Sequence, residues 1–160
     1  MKKLIDLLII SPARLSAVFD DLPPLAARLT VGYVFLIAGW GKLNALPQVT
    51  KYFTELGIPL PQVLTPVTAG IECFGGALLI VGLFTRLAAP MLVVVMVVAI
   101  VSAKLADVDS YFTLAGFEEV TYAVVFGYLA VLGPGRVSLD GLLTAWRRSV
   151  NPPAPFAPRV

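Results

Sequence analysis

A chain of 160 residues in which 58% are hydrophobic and only 14% charged departs from an ordinary soluble domain, where about a quarter of residues are charged. The net charge of +2, without a basic stripe, excludes a nucleic-acid-binding surface. With no histidine and one cysteine, Cys73, the chain cannot build a CxxC dithiol, bis-histidine haem ligation, a His-ligated zinc site or a histidine-based triad, and no metal site is expected.

The N-terminus, Met1 to Ile10, carries Lys2 and Lys3 before an apolar run. Asp6 interrupts the run and no small-x-small cleavage pattern follows, so residues 1–24 read as an uncleaved segment at the membrane surface. The first charge-poor block predicts a membrane span from Leu25 to Gly41. Asp20 and Asp21 are placed as an acidic cap and Pro23 and Pro24 as a helix start, with Arg28 snorkelling to the interface. Asn44 to Leu64 reads as a loop holding Pro47, Pro59, Pro61, Tyr52 and Phe53.

The second span is expected from Pro66 to Phe84, capped by Thr65, and the third from Leu87 to Ala103, with Pro90 in its first turn. Arg86, in the short connection between them, reads as a positive anchor. Asp107 to Phe117 forms an acidic, aromatic loop, and a fourth span covers Glu118 to Leu132, stopped by Gly133-Pro134-Gly135. Leu139 to Trp146 predicts an amphipathic helix ending in Arg147-Arg148, followed by a proline-rich tail from Asn151 expected to be disordered. No block alternates with period two, so strands are not expected. The fold class is all-α: an integral membrane four-helix bundle over residues 25–133, with short interfacial helices at the N- and C-termini and residues 134–160 as the C-terminal segment.

Lys and Arg set the orientation. Nine of the twelve fall on the side of the termini and of Arg86, and three, Lys42, Lys51 and Lys104, on the other. This asymmetry predicts that both termini are cytoplasmic.

Glu72 is the most informative residue, because a carboxylate within a span is costly and usually faces the bundle interior. It lies about 10 Å into the second span, in the outer half of the bilayer. Lys42 ends the first span on that side, Lys104 ends the third, and Glu118 and Glu119 begin the fourth, with Trp40 and Tyr111 nearby in sequence. The topology therefore gathers Lys42, Glu72, Lys104 and Glu119 toward one outer polar pocket, with Trp40 as a further ligand-binding candidate. Three readings stand for it: a structural pin between helices, a ligand or proton site, and an interface with another chain. Gly75 and Gly76 are read as a helix-packing face, with Ala69 and Cys73 on roughly the same face as Glu72. Cys73 itself is read as a small apolar filler.

An ordered set of segments carries a family resemblance. Arg28-Leu29 opens the first span and Gly39-Trp40-Gly41-Lys42-Leu43 closes it; Gly57-Ile58-Pro59 follows. The second span holds Gly70-Ile71-Glu72-Cys73-Phe74-Gly75-Gly76 and then Gly82-Leu83-Phe84-Thr85-Arg86-Leu87. Over roughly residues 25 to 143 the chain resembles the DoxX family of small bacterial and archaeal membrane proteins, named for a subunit of a thiosulfate:quinone oxidoreductase. The resemblance implies a location in the cytoplasmic (inner) membrane and family-like polar positions at Lys42, Glu72 and Arg86. It also implies an accessory or anchoring subunit of a membrane-associated oxidoreductase or stress-response system, with a quinone as the candidate cofactor. The expected partners are the lipid bilayer, a protein of that system and a second copy of the chain. The absence of histidine and the single cysteine argue against independent redox catalysis. A quinone-linked oxidoreductase in its own right and a small-solute or proton transporter are the alternatives.

Overall fold

The computed structural model describes residues 20–150. The expected N-terminal surface segment up to residue 19 and the tail from Asn151 lie outside the described residues. What is described is all-helical: α1 Leu22–Asn44, α2 Leu46–Glu55, α3 Pro61–Val81, α4 Thr85–Ala99, the short α5 Tyr111–Ala115, α6 Glu118–Leu132 and α7 Leu139–Val150. A π turn, Ile100–Lys104, and a 3-10 turn, Leu105–Asp107, continue α4.

Three helical stretches are long and apolar enough to cross a membrane: Leu22–Asn44, Pro61–Val81 and Thr85–Lys104, with 23, 21 and 20 residues. At about 1.5 Å per residue each reaches the ~30 Å of a hydrocarbon core. α6, with 15 residues, reaches only about 22 Å. α1 packs along α3, α3 on α4 and α4 on α6. The ring closes where Phe35 of α1 stacks edge-on against Tyr122 and Phe126 of α6, with centroids 5.2 and 4.8 Å apart. Val31, Phe35, Leu79, Leu92, Met96, Phe126 and Leu129 form the heart of the core. The outward faces, with Tyr33 and Ile37 on α1, Val97 on α4 and Val101 on the π turn, are exposed and apolar, as lipid contact requires.

The two adjacent glycines of α3 serve different neighbours. A Cβ on Gly76 would overlap the backbone of Leu36 and Gly32 in α1. One on Gly75 would press on Leu92 of α4, 3.2 Å from its Cδ1. The expected packing face therefore divides: Gly76 admits α1 and Gly75 faces α4.

Several helix ends differ from expectation. Asp21 precedes α1 but makes no side-chain cap bond. An N-cap oxygen accepts from the N–H of the second or third helical residue, and here both are prolines, Pro23 and Pro24, with nothing to donate. Asp21 Oδ1 instead accepts from Arg136 N at 2.8 Å. α3 starts at Pro61, not Pro66: Pro61 takes the first-turn place, Leu60 bends into the left-handed region (φ 49°), and Thr65 and Pro66 lie inside the helix. α3 stops at Val81 because Gly82 takes φ 70°, and the Gly82 and Leu83 N–H groups close back onto Leu79 and Leu78 at 3.1 and 3.0 Å. α4 begins at Thr85, so Arg86 sits in its first turn and Pro90 beyond it.

The cap of α4 comes from the far end of the chain. Asp140 Oδ1 and Oδ2 accept from Phe84 N and Thr85 N at 3.0 and 3.1 Å, and Asp140 N donates to Gly82 O at 3.0 Å. Arg28 belongs to the same closure. It does not snorkel outward: it is 1% exposed, lies against Gly82 and donates Nη2 to Val137 O. Residues 134–138 fold back over that end of α1 and cover it.

Candidate functional site

The polar site forms at the other end of the helices. Gly39 of α1 lies so close to α3 that a Cβ there would overlap the backbone of Cys73. That contact sits one turn before Lys42 and beside Glu72, and it brings the two side chains together. Lys42 Nζ donates to Glu72 Oε1 at 2.6 Å, with the Glu72 side chain 3% and the Lys42 side chain 37% exposed. Lys42 also lies in the last turn of α1, where the helix dipole favours a cation.

A second pair faces the first. Lys104, at the end of the π turn, donates to Glu119 at 2.8 Å and stands 5.1 Å from the centroid of the Phe117 ring. Glu119 occupies the first turn of α6, where the dipole favours an anion. The π turn inserts a residue into the helical ladder and so sets where Lys104 projects.

Lys42, Glu72, Lys104 and Glu119 line one cavity of about 760 Å³ bounded by α2, α3, α4 and the start of α6. Its other walls are mainly apolar, among them Phe53, Ile71, Met91 and Val95. Charges of both signs are paired, yet Glu72 Oε2 is buried and has no hydrogen-bond partner among the described residues. Val94 and Val98 line the cavity while 61% and 48% exposed, so it opens sideways toward the lipid face of α4.

Trp40 is not brought into this group. It is 61% exposed on α1 and does not line the cavity. Tyr111 is likewise outside it, as is Glu118, which is exposed. Arg86 lies at the opposite end of the molecule. Gly75 and Gly76 act through packing. Sequence reasoning missed Gln48, Thr68 and Ser102, which line the cavity, and the helix that roofs it. A signal for α2 exists: Val49, Tyr52, Phe53 and Leu56 recur at helical spacing and all line the cavity. Among the described residues no group of three His, Cys, Asp or Glu side chains could hold a metal ion.

The apolar helices and their exposed flanks define a helical membrane protein whose largely apolar cavity carries two Lys–Glu pairs. The chain belongs to the DoxX family, whose model matches residues 24–105, just over half of it. It is 33% identical to an uncharacterized membrane protein of Mycobacterium tuberculosis, Rv3486, over 76% of this chain and 83% of the relative. It is 28% identical to the inner membrane protein YphA of Escherichia coli, over 72% of this chain and 86% of the relative. A Bacillus subtilis protein provisionally named an oxidoreductase, CatD, is 26% identical over 82% of this chain and 94% of its own length. No solved structure matches the chain.

Proposed function

We propose that the chain is an accessory, anchoring subunit of a membrane-associated oxidoreductase or stress-response system, and that its outer cavity binds a lipid-soluble amphiphile of the quinone type. One observation carries the reading: a largely apolar cavity of about 760 Å³, open toward lipid, holds two lysine ammonium groups and a buried carboxylate oxygen with no partner among the described residues. The cavity's chemistry fits a quinone. Lys42 and Lys104 can donate to ring oxygens, Glu72 Oε2 can accept from a hydroxyl, and the apolar walls suit a ring and its prenyl chain. A quinone bound there supplies two-electron redox capacity, and the chain's own residues bind it, orient it and keep water from it. The provisional oxidoreductase name of the Bacillus subtilis relative agrees with this placement.

In this reading residues 25–133 form a membrane domain that crosses the bilayer four times. α6 serves as the fourth span despite its length, supported by neighbours that fully bury Phe126 and Leu129. Residues 1–24 and 134–160 flank the domain at the cytoplasmic surface. The clustering of Arg86, Arg136, Arg147 and Arg148 at one end, with Lys42 and Lys104 at the other, supports that orientation.

The test is organic extraction of protein purified from native membranes. Quinone recovered with the wild-type chain, and lost from a Glu72→Gln variant that accumulates equally, supports the reading. Equal quinone content in wild type, the variant and an unrelated membrane protein of the same size overturns it.

A further inference from the structure

The end of the molecule opposite the Lys–Glu cavity has its own unassigned site. A second cavity of about 1140 Å³ lies between α7 and the rest of the chain, and Arg86, Arg136, Arg147 and Arg148 all line it. Two carboxylates also line it, and each accepts from backbone N–H groups, not from an arginine side chain. Asp140 accepts backbone N–H bonds on both oxygens, and Asp21 Oδ1 accepts from Arg136 N. Among the described residues none of the four arginines forms a salt bridge. Apart from Thr144 the remaining lining carries no polar side chain, and Phe84, Leu87 and Leu132 are 60%, 64% and 62% exposed. α7 buries none of its residues, and its apolar side chains Leu139, Leu142, Leu143, Trp146 and Val150 fall in one stripe at helical spacing.

Charge and apolar surface thus stand together in the order of an anionic lipid. We infer that this cavity is a binding site for an anionic phospholipid: its phosphate sits among Arg86, Arg136, Arg147 and Arg148, its acyl chains run along Leu87 and Leu132, and α7 lies with its apolar stripe in the bilayer interface. Guanidinium forks suit phosphate oxygens. A free phosphate would satisfy the arginines but leave the apolar walls and the α7 stripe uncovered, so the lipid is the occupant. This inference does not depend on what occupies the outer cavity.

The experiment uses the full-length chain carrying Trp40→Phe, which leaves Trp146 as the one tryptophan. The protein is reconstituted in phosphatidylcholine vesicles doped with brominated phosphatidylglycerol or, separately, brominated phosphatidylcholine, and quenching of Trp146 fluorescence is followed. Each arginine near an anionic lipid is worth about fivefold in affinity, so the anionic lipid should quench at a several-fold lower mole fraction than the zwitterionic one. Arg86→Gln with Arg147→Gln should remove most of that preference, and the corresponding Lys substitutions should retain it. Equal quenching by the two lipids overturns the proposal without recourse to any variant. Reversal of the preference by soluble glycerol phosphate in the millimolar range also overturns it, because the site would then read a free phosphate.

Discussion

The Asp140 carboxylate caps a helix that begins 55 residues earlier in the chain, its Oδ2 accepting from Thr85 N at 3.1 Å. Thr85 is fully buried and the side chain of its neighbour Phe84 supplies no cap, so the first-turn N–H groups of α4 depend on α7 for an acceptor. Asp140→Ala should therefore lower stability by about 1–2 kcal/mol, the range for loss of a helix cap. Asp140→Asn, which keeps one acceptor oxygen, should lose less. Thermal unfolding in detergent measures both, and equal midpoints for wild type and Asp140→Ala would mean that water replaces the carboxylate.

The Lys42–Glu72 pair should show strong coupling. Lys42→Met alone strands a carboxylate that is 2% exposed, whereas Lys42→Met with Glu72→Leu removes both charges. The single variant should be the less stable of the two, with a coupling energy of about 1–3 kcal/mol from a double-mutant cycle. Additive effects would show that the two side chains do not depend on each other.

Gly76→Leu should lower the yield of folded protein, because the side chain would collide with the backbone of Gly32 and Leu36. Gly39→Leu should do the same against Cys73. Gly41→Ala and Gly127→Ala are the controls, since a Cβ at either meets nothing within 4 Å. Size-exclusion profiles and melting midpoints of the four variants distinguish a specific close approach from a general intolerance of larger residues.

Cys73, at 7% exposure on the face that meets Gly39, should react slowly with a water-soluble maleimide. A cysteine placed at Tyr111, 78% exposed, sets the fast reference in a Cys73→Ser background. Comparable labelling rates would reveal an aqueous path to the middle of α3 and favour a transport role.

Reporter fusions at Lys51 and Thr113 should read as external and one at Val160 as internal, if α1, α3, α4 and α6 each cross the bilayer. An external signal at Val160 would overturn the map: with Thr113 external it removes α6 from the spans.

The positions of the long helices were legible because apolar blocks of this length have few other uses. The gathering of Lys42, Glu72, Lys104 and Glu119 was legible too, since each stands at or near the same end of its helix in a bundle expected to alternate in direction. α2 was not: Pro47, Pro59 and Pro61 mark a loop, and the spacing of Val49, Tyr52, Phe53 and Leu56 was the fainter signal. Trp40 was grouped with the polar residues by sequence proximity, but rotation about the helix axis turns it away from the cavity. Arg28 and Asp140 were beyond sequence reasoning. Their partners are single backbone groups, Val137 O for one and Phe84 N and Thr85 N for the other, and no residue pattern announces a backbone atom.

The bond from Arg28 to Val137 O spans 109 positions, so the guanidinium of α1 finds its acceptor only in a segment made long after it. Without residues 134–140 the Arg28 guanidinium would lack the Val137 carbonyl. The turn between α3 and α4 depends on the same stretch, through Asp140. One short segment of the chain thus completes two helix ends that precede it by more than fifty positions. A chain cut before Val137 would lose both the acceptor of Arg28 and the Asp140 cap of α4, leaving a buried guanidinium and a helix start without partners.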